Sequence, residues 1–240
     1  MLAQPFQPTL AAGEIHLWRL DLAGDCPVDD DHILDESDVV RAERFAFDRD
    51  RNRFLRGRYG LRSILAAYLH ISPRKLAIKL NPHGKPLLEP ALGLRFNLSH
   101  SGDHGLLAVG RSARIGVDIE ELSSPKEIRA LADSLFTKEE VQSLNIIDDD
   151  RLAAVFLTCW TRKEAYLKAV GVGLSIDPRS VHVGTTAQCR HVPFVGSPSD
   201  EFLGVTSLLG SGNCVAALAV EGGHAETKNF DWAPKASPRC

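Results

Sequence analysis

The 240-residue chain is long enough for one large domain or two small ones, and its 44 % hydrophobic content gives ample core. Charge is nearly balanced, 28 Lys+Arg against 31 Asp+Glu for a net −3, which argues against a general binder of nucleic acid or of anionic membrane, since both leave a strongly basic footprint. The five cysteines, Cys26, Cys159, Cys189, Cys214 and Cys240, are scattered, odd in number and without a CxxC, so they read neither as a zinc signature nor as a disulfide framework.

Met1 to Thr9 lack the basic-then-apolar order of a signal peptide and carry Pro5 and Pro8. The purely apolar runs, such as Cys214 to Val220, are too short to span a bilayer. Together with the cysteine usage this predicts a soluble, cytoplasmic protein. Residues 1–13 form a lead-in without periodicity. Glu14 to Leu20 alternates polar and apolar side chains, the pattern of a half-buried strand, and Asp21 to Asp31 reads as a loop. From Ser37 to about His70 the pattern is helical, with a break near Phe47-Asp48-Arg49-Asp50. This region carries Arg41, Arg44, Arg49, Arg51, Arg53, Arg56, Arg58 and Arg62, read chiefly as a solvated helix face from which one or two side chains reach an anionic ligand.

Leu76 to Leu80 reads as a short strand leading into Gly84-Lys85-Pro86, where Gly84 permits a tight turn that displays Lys85; a plain surface loop is the alternative. Phe96-Asn97-Leu98 resumes a strand that ends in a polar turn, Ser99 to Asp103. His104 to Val109 and Ile115 to Ile119 look like consecutive antiparallel strands, and the period of two points Asp118 and Glu120 to one face. A helix start is expected at Ser124-Pro125-Lys126-Glu127, and Thr137-Lys138-Glu139-Glu140 matches a capping box. From Asp148 to Gly171 acidic residues at the start, apolar residues at 3, 4 spacing and a terminal glycine predict a long helix on which Glu164 and Lys168 lie one turn apart. Strands follow near Val181 to Val183, Phe202 to Leu209 and Asn213 to Val220, and the tail from Glu221 reads as loosely held.

A weak repeat links Leu69-x-Ile71-Ser72-Pro73-Arg74-x-Leu76-x-Ile78 to Leu174-x-Ile176-Asp177-Pro178-Arg179-x-Val181-x-Val183 at an offset of 105 positions. Each copy follows a long helix. The expected fold class is therefore α+β, with two similar halves related by pseudo-twofold symmetry, residues 14–110 and 111–221, and a ligand cleft between them; residues 222–240 form the tail.

If strand and helix pack together, Asp118, Glu120, Glu164 and Lys168 converge into a pocket suited to magnesium and phosphate. Each piece alone has a plainer reading, because Asp-x-Glu on a strand is usually a solvated face and Glu/Lys at i, i+4 usually supports a helix. Ser99-His100 is no serine-hydrolase site, since strand neighbours point to opposite faces and the G-x-S-x-G elbow is missing. The Ser101-Gly102-Asp103 stretch between His100 and His104 breaks the helix that a zinc pair would need.

Taken in order, Asn97-Leu98-Ser99-His100-Ser101-Gly102, Gly116-Val117-Asp118-Ile119-Glu120 and Trp160-Thr161-Arg162-Lys163-Glu164-Ala165-Tyr166-Leu167-Lys168 with Gly171-x-Gly173-Leu174 closely resemble the 4′-phosphopantetheinyl transferase superfamily, in its larger, surfactin-type branch. The resemblance covers roughly Ile15 to Val220, and the opening Glu14-Ile15-His16-Leu17-Trp18 is similar to cyanobacterial members. It implies a monomer that moves the phosphopantetheine arm of coenzyme A to a serine of an apo acyl or peptidyl carrier protein, with magnesium, releasing adenosine 3′,5′-bisphosphate. It implies Asp118, Glu120 and Glu164 as magnesium ligands, Glu164 as the base and Lys168 at the bridging or leaving oxygen. Arg41, Gly84, Lys85, Pro86, Asn97, Ser99 and His100 match positions for coenzyme A, with Arg41, Lys85, Ser99 and His100 towards the 3′-phosphate and adenine end. Asp38 stands where some relatives carry a second basic residue. The arginine-rich segment is a candidate for steering an acidic carrier protein of fatty acid, polyketide or nonribosomal peptide synthesis. A magnesium-dependent phosphodiesterase and a non-catalytic coenzyme A-binding module are the alternatives.

Overall fold

A computed structural model describes residues 8–26, 33–111, 114–123, 127–195, 201–208, 213–223 and 225–233. The expected helix start at Ser124-Pro125-Lys126, the side chain of Leu174 and Cys240 lie outside the described residues. Among the described residues no helix is long and apolar enough to cross a membrane.

Among the described residues, two four-stranded sheets, one two-stranded hairpin and five α-helices build the fold. The first sheet holds β1 (Glu14–Asp21), β4 (Arg95–Ser101), β5 (His104–Gly110) and β10 (Glu226–Trp232) in the order β10-β1-β5-β4. The second holds β6 (Ile115–Glu121), β7 (Arg190–Pro193), β8 (Phe202–Leu208) and β9 (Cys214–Glu221) in the order β6-β9-β8-β7. A small hairpin pairs β2 (Lys79–Leu80) with β3 (Pro86–Leu87). The helices are α1 (Glu36–Ala42), α2 (Asp48–Leu69), α3 (Ile128–Leu135), α4 (Lys138–Asn145) and α5 (Asp149–Val170).

Strand alternation stacks these elements in layers. On β1, Trp18 and Leu20 face α2 together with Leu61 and Leu65, while Ile15 and Leu17 face the other way. Those outward residues meet Val117 and Ile119 of β6 and Leu218 of β9, so the two sheets pack back to back. The far face of the second sheet buries Leu203, Val205, Ala217 and Ala219 against Phe156, Cys159 and Tyr166 of α5.

The two halves repeat one device. Each has a short helix with a capping box, Asp35/Asp38 in α1 and Thr137/Glu140 in α4. The acid that closes each box receives a buried cation from the long helix: Arg62 Nε lies 2.6 Å from Asp38 Oδ2, and Lys163 Nζ lies 2.7 Å from Glu140 Oε2. Each cation then reaches equivalent carbonyls of the repeat, Leu76 at 3.0 Å from Arg62 Nη1 and Val181 at 2.5 Å from Lys163 Nζ. A charge left alone in such a place costs roughly 3–5 kcal/mol, so these cations hold the fold and cannot be spared for a ligand. Two similar α+β halves are thereby confirmed, with Leu76 and Val181 of the repeat in matching places.

Several expectations change. No strand forms at Val181–Val183, because Val183 donates to Glu140 Oε1 at 2.8 Å and its carbonyl accepts from Arg162 Nη2 at 2.7 Å, which leaves nothing for a ladder. Similarly, only Lys79–Leu80 of the strand expected at Leu76 to Leu80 pairs. β5 and β6 are consecutive in sequence but belong to different sheets, β6 pairing with β9. Arg56 and Arg62 are buried, so the arginine-rich segment is not simply a solvated face; Arg56 holds the carbonyls of Asp21 and Asp25. The stretch from Glu226, expected to be loose, forms β10 and pairs parallel with β1. Phe230 stacks on Trp18 with ring centroids 4.7 Å apart, and Lys228 binds Glu14, so apolar and ionic contacts fix the strand there.

Candidate functional site

The site begins with a close approach of α5 to β6. Ile115, Val117 and Ile119 enter the core between the sheets, which turns Gly116, Asp118 and Glu120 to the opposite face. A Cβ on Gly116 would fall 2.0 Å from the carbonyl oxygen of Ala165 and 2.4 Å from the nitrogen of Ala169. Only glycine lets the backbone of α5 lie so close, and Lys168 meets Asp118 as a result.

Lys168 Nζ lies 2.6 Å from Asp118 Oδ1, and Ser99 Oγ lies 2.8 Å from the same oxygen and 2.9 Å from the ammonium. Ser99 belongs to β4 rather than to a turn, because β4 runs to Ser101. Alternate residues of β4 cross to β6: Asn97 Oδ1 accepts from Val117 N at 2.8 Å, Ser99 binds Asp118, and Ser101 Oγ donates to Glu120 Oε2 at 2.8 Å. The side chains of one sheet's edge thus hold the acidic strand of the other in register.

Burial raises the Asp118 carboxyl above the usual range, against the opposing pull of Lys168 and Ser99. Glu120 and Glu164 are raised as well, first by burial; Asp118 repels both, and Glu120 adds to the effect on Glu164. Asp118 Oδ2 is buried without a hydrogen-bond partner. An orphaned carboxylate oxygen beside two further acids suits a hard divalent cation, which takes oxygen donors and offsets their repulsion. Among the described residues, however, no three acidic, histidine or cysteine side chains form a ready metal cluster. The expected convergence is partial, because Lys168 already neutralises one oxygen of Asp118 and Ser101 holds Glu120. The donor set fits magnesium by type and charge.

Glu164 and Lys168 line a cavity of about 420 Å³ whose other wall comes from the first half through Gly84, Pro86, Asn97 and Leu98. The cleft lies between the halves. The Gly84-Lys85-Pro86 turn has Gly84 at φ 83°, and Asn81 organises it: Asn81 Oδ1 accepts from Lys85 N at 2.8 Å, and Asn81 Nδ2 donates to the carbonyl of Gly171 at 2.7 Å. Lys85 itself is not displayed. Its ammonium turns inward onto the carbonyls of Ile115, Lys168 and Ala169, where the negative end of α5 attracts it.

His100, next along β4, faces the other way and is exposed at the end of the sheet. Protein crowding around its ring, then the positive charges of Lys168, Arg53 and Arg41, hold its imidazole below the usual histidine value. Arg41 sits over the Phe54 ring, 5.2 Å from its centroid, and Arg53 Nε lies 2.8 Å from Asp103 Oδ1. The structure therefore brings Glu164, Lys168 and Asn97 to the wall of the cleft, with Asp118 and Ser99 tied to Lys168 behind it, Glu120 held beside them by Ser101, and His100 and Arg41 forming a cationic rim nearby. Asp38 is committed to Arg58 and Arg62. Sequence reasoning missed Asn81 and Ser101 as supports. The only signals were a turn-forming Asn before Gly84 and the alternation of Asn97, Ser99 and Ser101.

Acidic groups and an ammonium beside one cleft, with His100 and Arg41 nearby, have the chemistry that suits a phosphorylated ligand. Two family models extend this: one described as 4′-phosphopantetheinyl transferase superfamily matches residues 114–198, and one described as 4′-phosphopantetheinyl transferase, N-terminal, matches residues 31–112. The 4′-phosphopantetheinyl transferase HetI of Nostoc sp. is 36 % identical over 242 residues, covering 98 % of this chain and 96 % of that protein. A putative 4′-phosphopantetheinyl transferase of Synechocystis sp. is 35 % identical over 60 % of this chain and 59 % of its own. A phosphopantetheinyl transferase of Thraustochytrium sp. is 30 % identical over 86 % of this chain and 78 % of its own. The chain belongs to the 4′-phosphopantetheinyl transferase superfamily and is an enzyme of that class.

Proposed function

We propose that the enzyme transfers the 4′-phosphopantetheine arm of coenzyme A to a serine of apo acyl or peptidyl carrier proteins, releasing adenosine 3′,5′-bisphosphate. The observation that carries this reading is the meeting of Lys168 with buried Asp118 beside Glu164 at the cleft between the halves. The serine hydroxyl attacks the phosphorus that bears the pantetheine arm; the bond from that phosphorus to the bridging oxygen breaks, and the oxygen leaves with the nucleotide. Glu164, raised by burial and by its acidic neighbours, accepts the serine proton directly or across one water. Lys168 faces the charge that develops on the leaving oxygen. Asp118, Glu120 and Glu164 are the oxygen donors for magnesium, which supplies neutralisation of the diphosphate when bound. His100 and Arg41, on the cationic rim, take the 3′-phosphate, with Gly84, Pro86 and Ser99 on the path of the cofactor. Lys85 contributes by holding the end of α5 through its three carbonyl contacts. Because one chain supplies both walls of the cleft, a monomer suffices.

Coenzyme A, magnesium and candidate apo-carrier proteins are incubated together and read by intact mass. One added arm is expected on the carrier, lost with a chelator and restored by magnesium. Glu164→Gln should abolish transfer while leaving the folded spectrum unchanged. Near-normal turnover by that variant removes Glu164 as the base, and cleavage of coenzyme A without any carrier replaces transfer by hydrolysis.

A further inference from the structure

A second cavity, of about 350 Å³, shares Lys85 and Gly171 with the cleft and is otherwise lined by different residues, among them Arg95, Arg114 and Glu221. Its cations outnumber its acids. Arg95, on the outer edge strand β4, forms no ion pair among the described residues. The Arg114 guanidinium packs over the Phe194 ring at 4.6 Å, and its ion pair with Glu201 is long, at 4.0 Å. The carboxylate of Glu221, the one acid in the wall among the described residues, is engaged by the backbone nitrogen of Arg114 at 3.0 Å. The Lys85 ammonium rests on carbonyl oxygens rather than on a carboxylate. Burial, and then repulsion from Arg95 and Arg114, lower Lys85 to about 8. Like charges held together around one cavity repel one another, and an anion of complementary shape relieves that repulsion while taking guanidinium hydrogen bonds.

We propose that this cavity is a separate binding site for a small oxyanion, a phosphate or carboxylate group, held by the guanidinium groups of Arg95 and Arg114 with Lys85 at its base. It is distinct from the rim at His100 and Arg41, because Arg95 and His100 stand near opposite ends of β4 and alternate onto opposite faces of it. Two guanidinium forks favour the doubly charged phosphate over a single carboxylate.

The test titrates inorganic phosphate into the full chain and follows backbone amide shifts, with acetate and chloride at equal ionic strength as parallel arms. Saturable shifts at Asn81, Leu87, Arg95 and Ile115 are expected with phosphate, weaker ones with acetate and none with chloride. Arg95→Gln should weaken phosphate about tenfold, the loss of one charge-assisted hydrogen bond, whereas Arg95→Lys retains part of the affinity. Shifts confined to Ser99 and His100 overturn the site, as does an unchanged affinity in Arg95→Gln. Stronger saturation by acetate than by phosphate assigns the same site to carboxylates. Should the variants fail to fold, the wild-type titration decides alone, since equal responses to phosphate and chloride at these amides overturn it.

Discussion

Lys168 and Asp118, separated by 50 residues, meet at 2.6 Å across the interface of α5 and β6, and Ser99 from the other half bridges them. The contact joins fold to cleft, because the ammonium that lines the cavity also balances a buried carboxylate. Lys168→Met should therefore lose transfer and also destabilise the protein by about 2–3 kcal/mol in urea unfolding. That is below the cost of a fully enclosed pair because the Lys168 side chain is 29 % exposed. Full stability in the variant would mean that Asp118 protonates at little expense.

Gly116 is a second point where packing sets chemistry. Gly116→Ala puts a methyl group into the backbone of α5, so the helix must move. Destabilisation of about 3 kcal/mol is expected, together with loss of transfer. A crystal structure should show Lys168 withdrawn from Asp118; an unshifted α5 contradicts the role given to this glycine.

The rim at His100 is separable from the reacting centre. His100→Ala should weaken coenzyme A about tenfold, the scale of one hydrogen bond to a charged group, and its 3′-dephospho form far less. Calorimetry of both ligands checks this. Equal losses take His100 away from the 3′-phosphate.

Lys85 gives a dependence on pH. Its folded value of about 8 lies below the ordinary 10.5. Between those values the unfolded chain binds more protons than the folded one, so stability rises with pH through this window and is least below it. Lys85→Met removes this contribution. Unfolding midpoints measured across the window should climb more steeply for the wild type than for the variant, and parallel curves would show that the ammonium feels no burial.

Much of this was legible in the residues. Acidic starts, apolar spacing and Gly171 set α5; the Thr137/Glu140 box set α4; alternation set β1 and the shared face of Asp118 and Glu120. All are local signals, written in a few adjacent positions. The inward turn of Lys85 was not legible, because a lysine after glycine looks the same whether its partner is water or the end of a helix more than 80 residues away. The pairing of β10 with β1 was equally hidden, since the face of Glu226–Trp232 acquires meaning only against Trp18 and Glu14.

By itself, then, the sequence determined which segments form helices and strands, the doubled plan of the halves and which acids share a strand face, because backbone periodicity and capping act over short spans. Only the tertiary structure decided which cations are consumed inside, as Arg62 and Lys163 are, and which stay outside buried ion pairs, as Arg41 over the Phe54 ring and Arg95 in a cavity wall do. A charge takes its role from whatever lies within a few ångströms of it, and that neighbourhood is assembled from segments far apart in the chain.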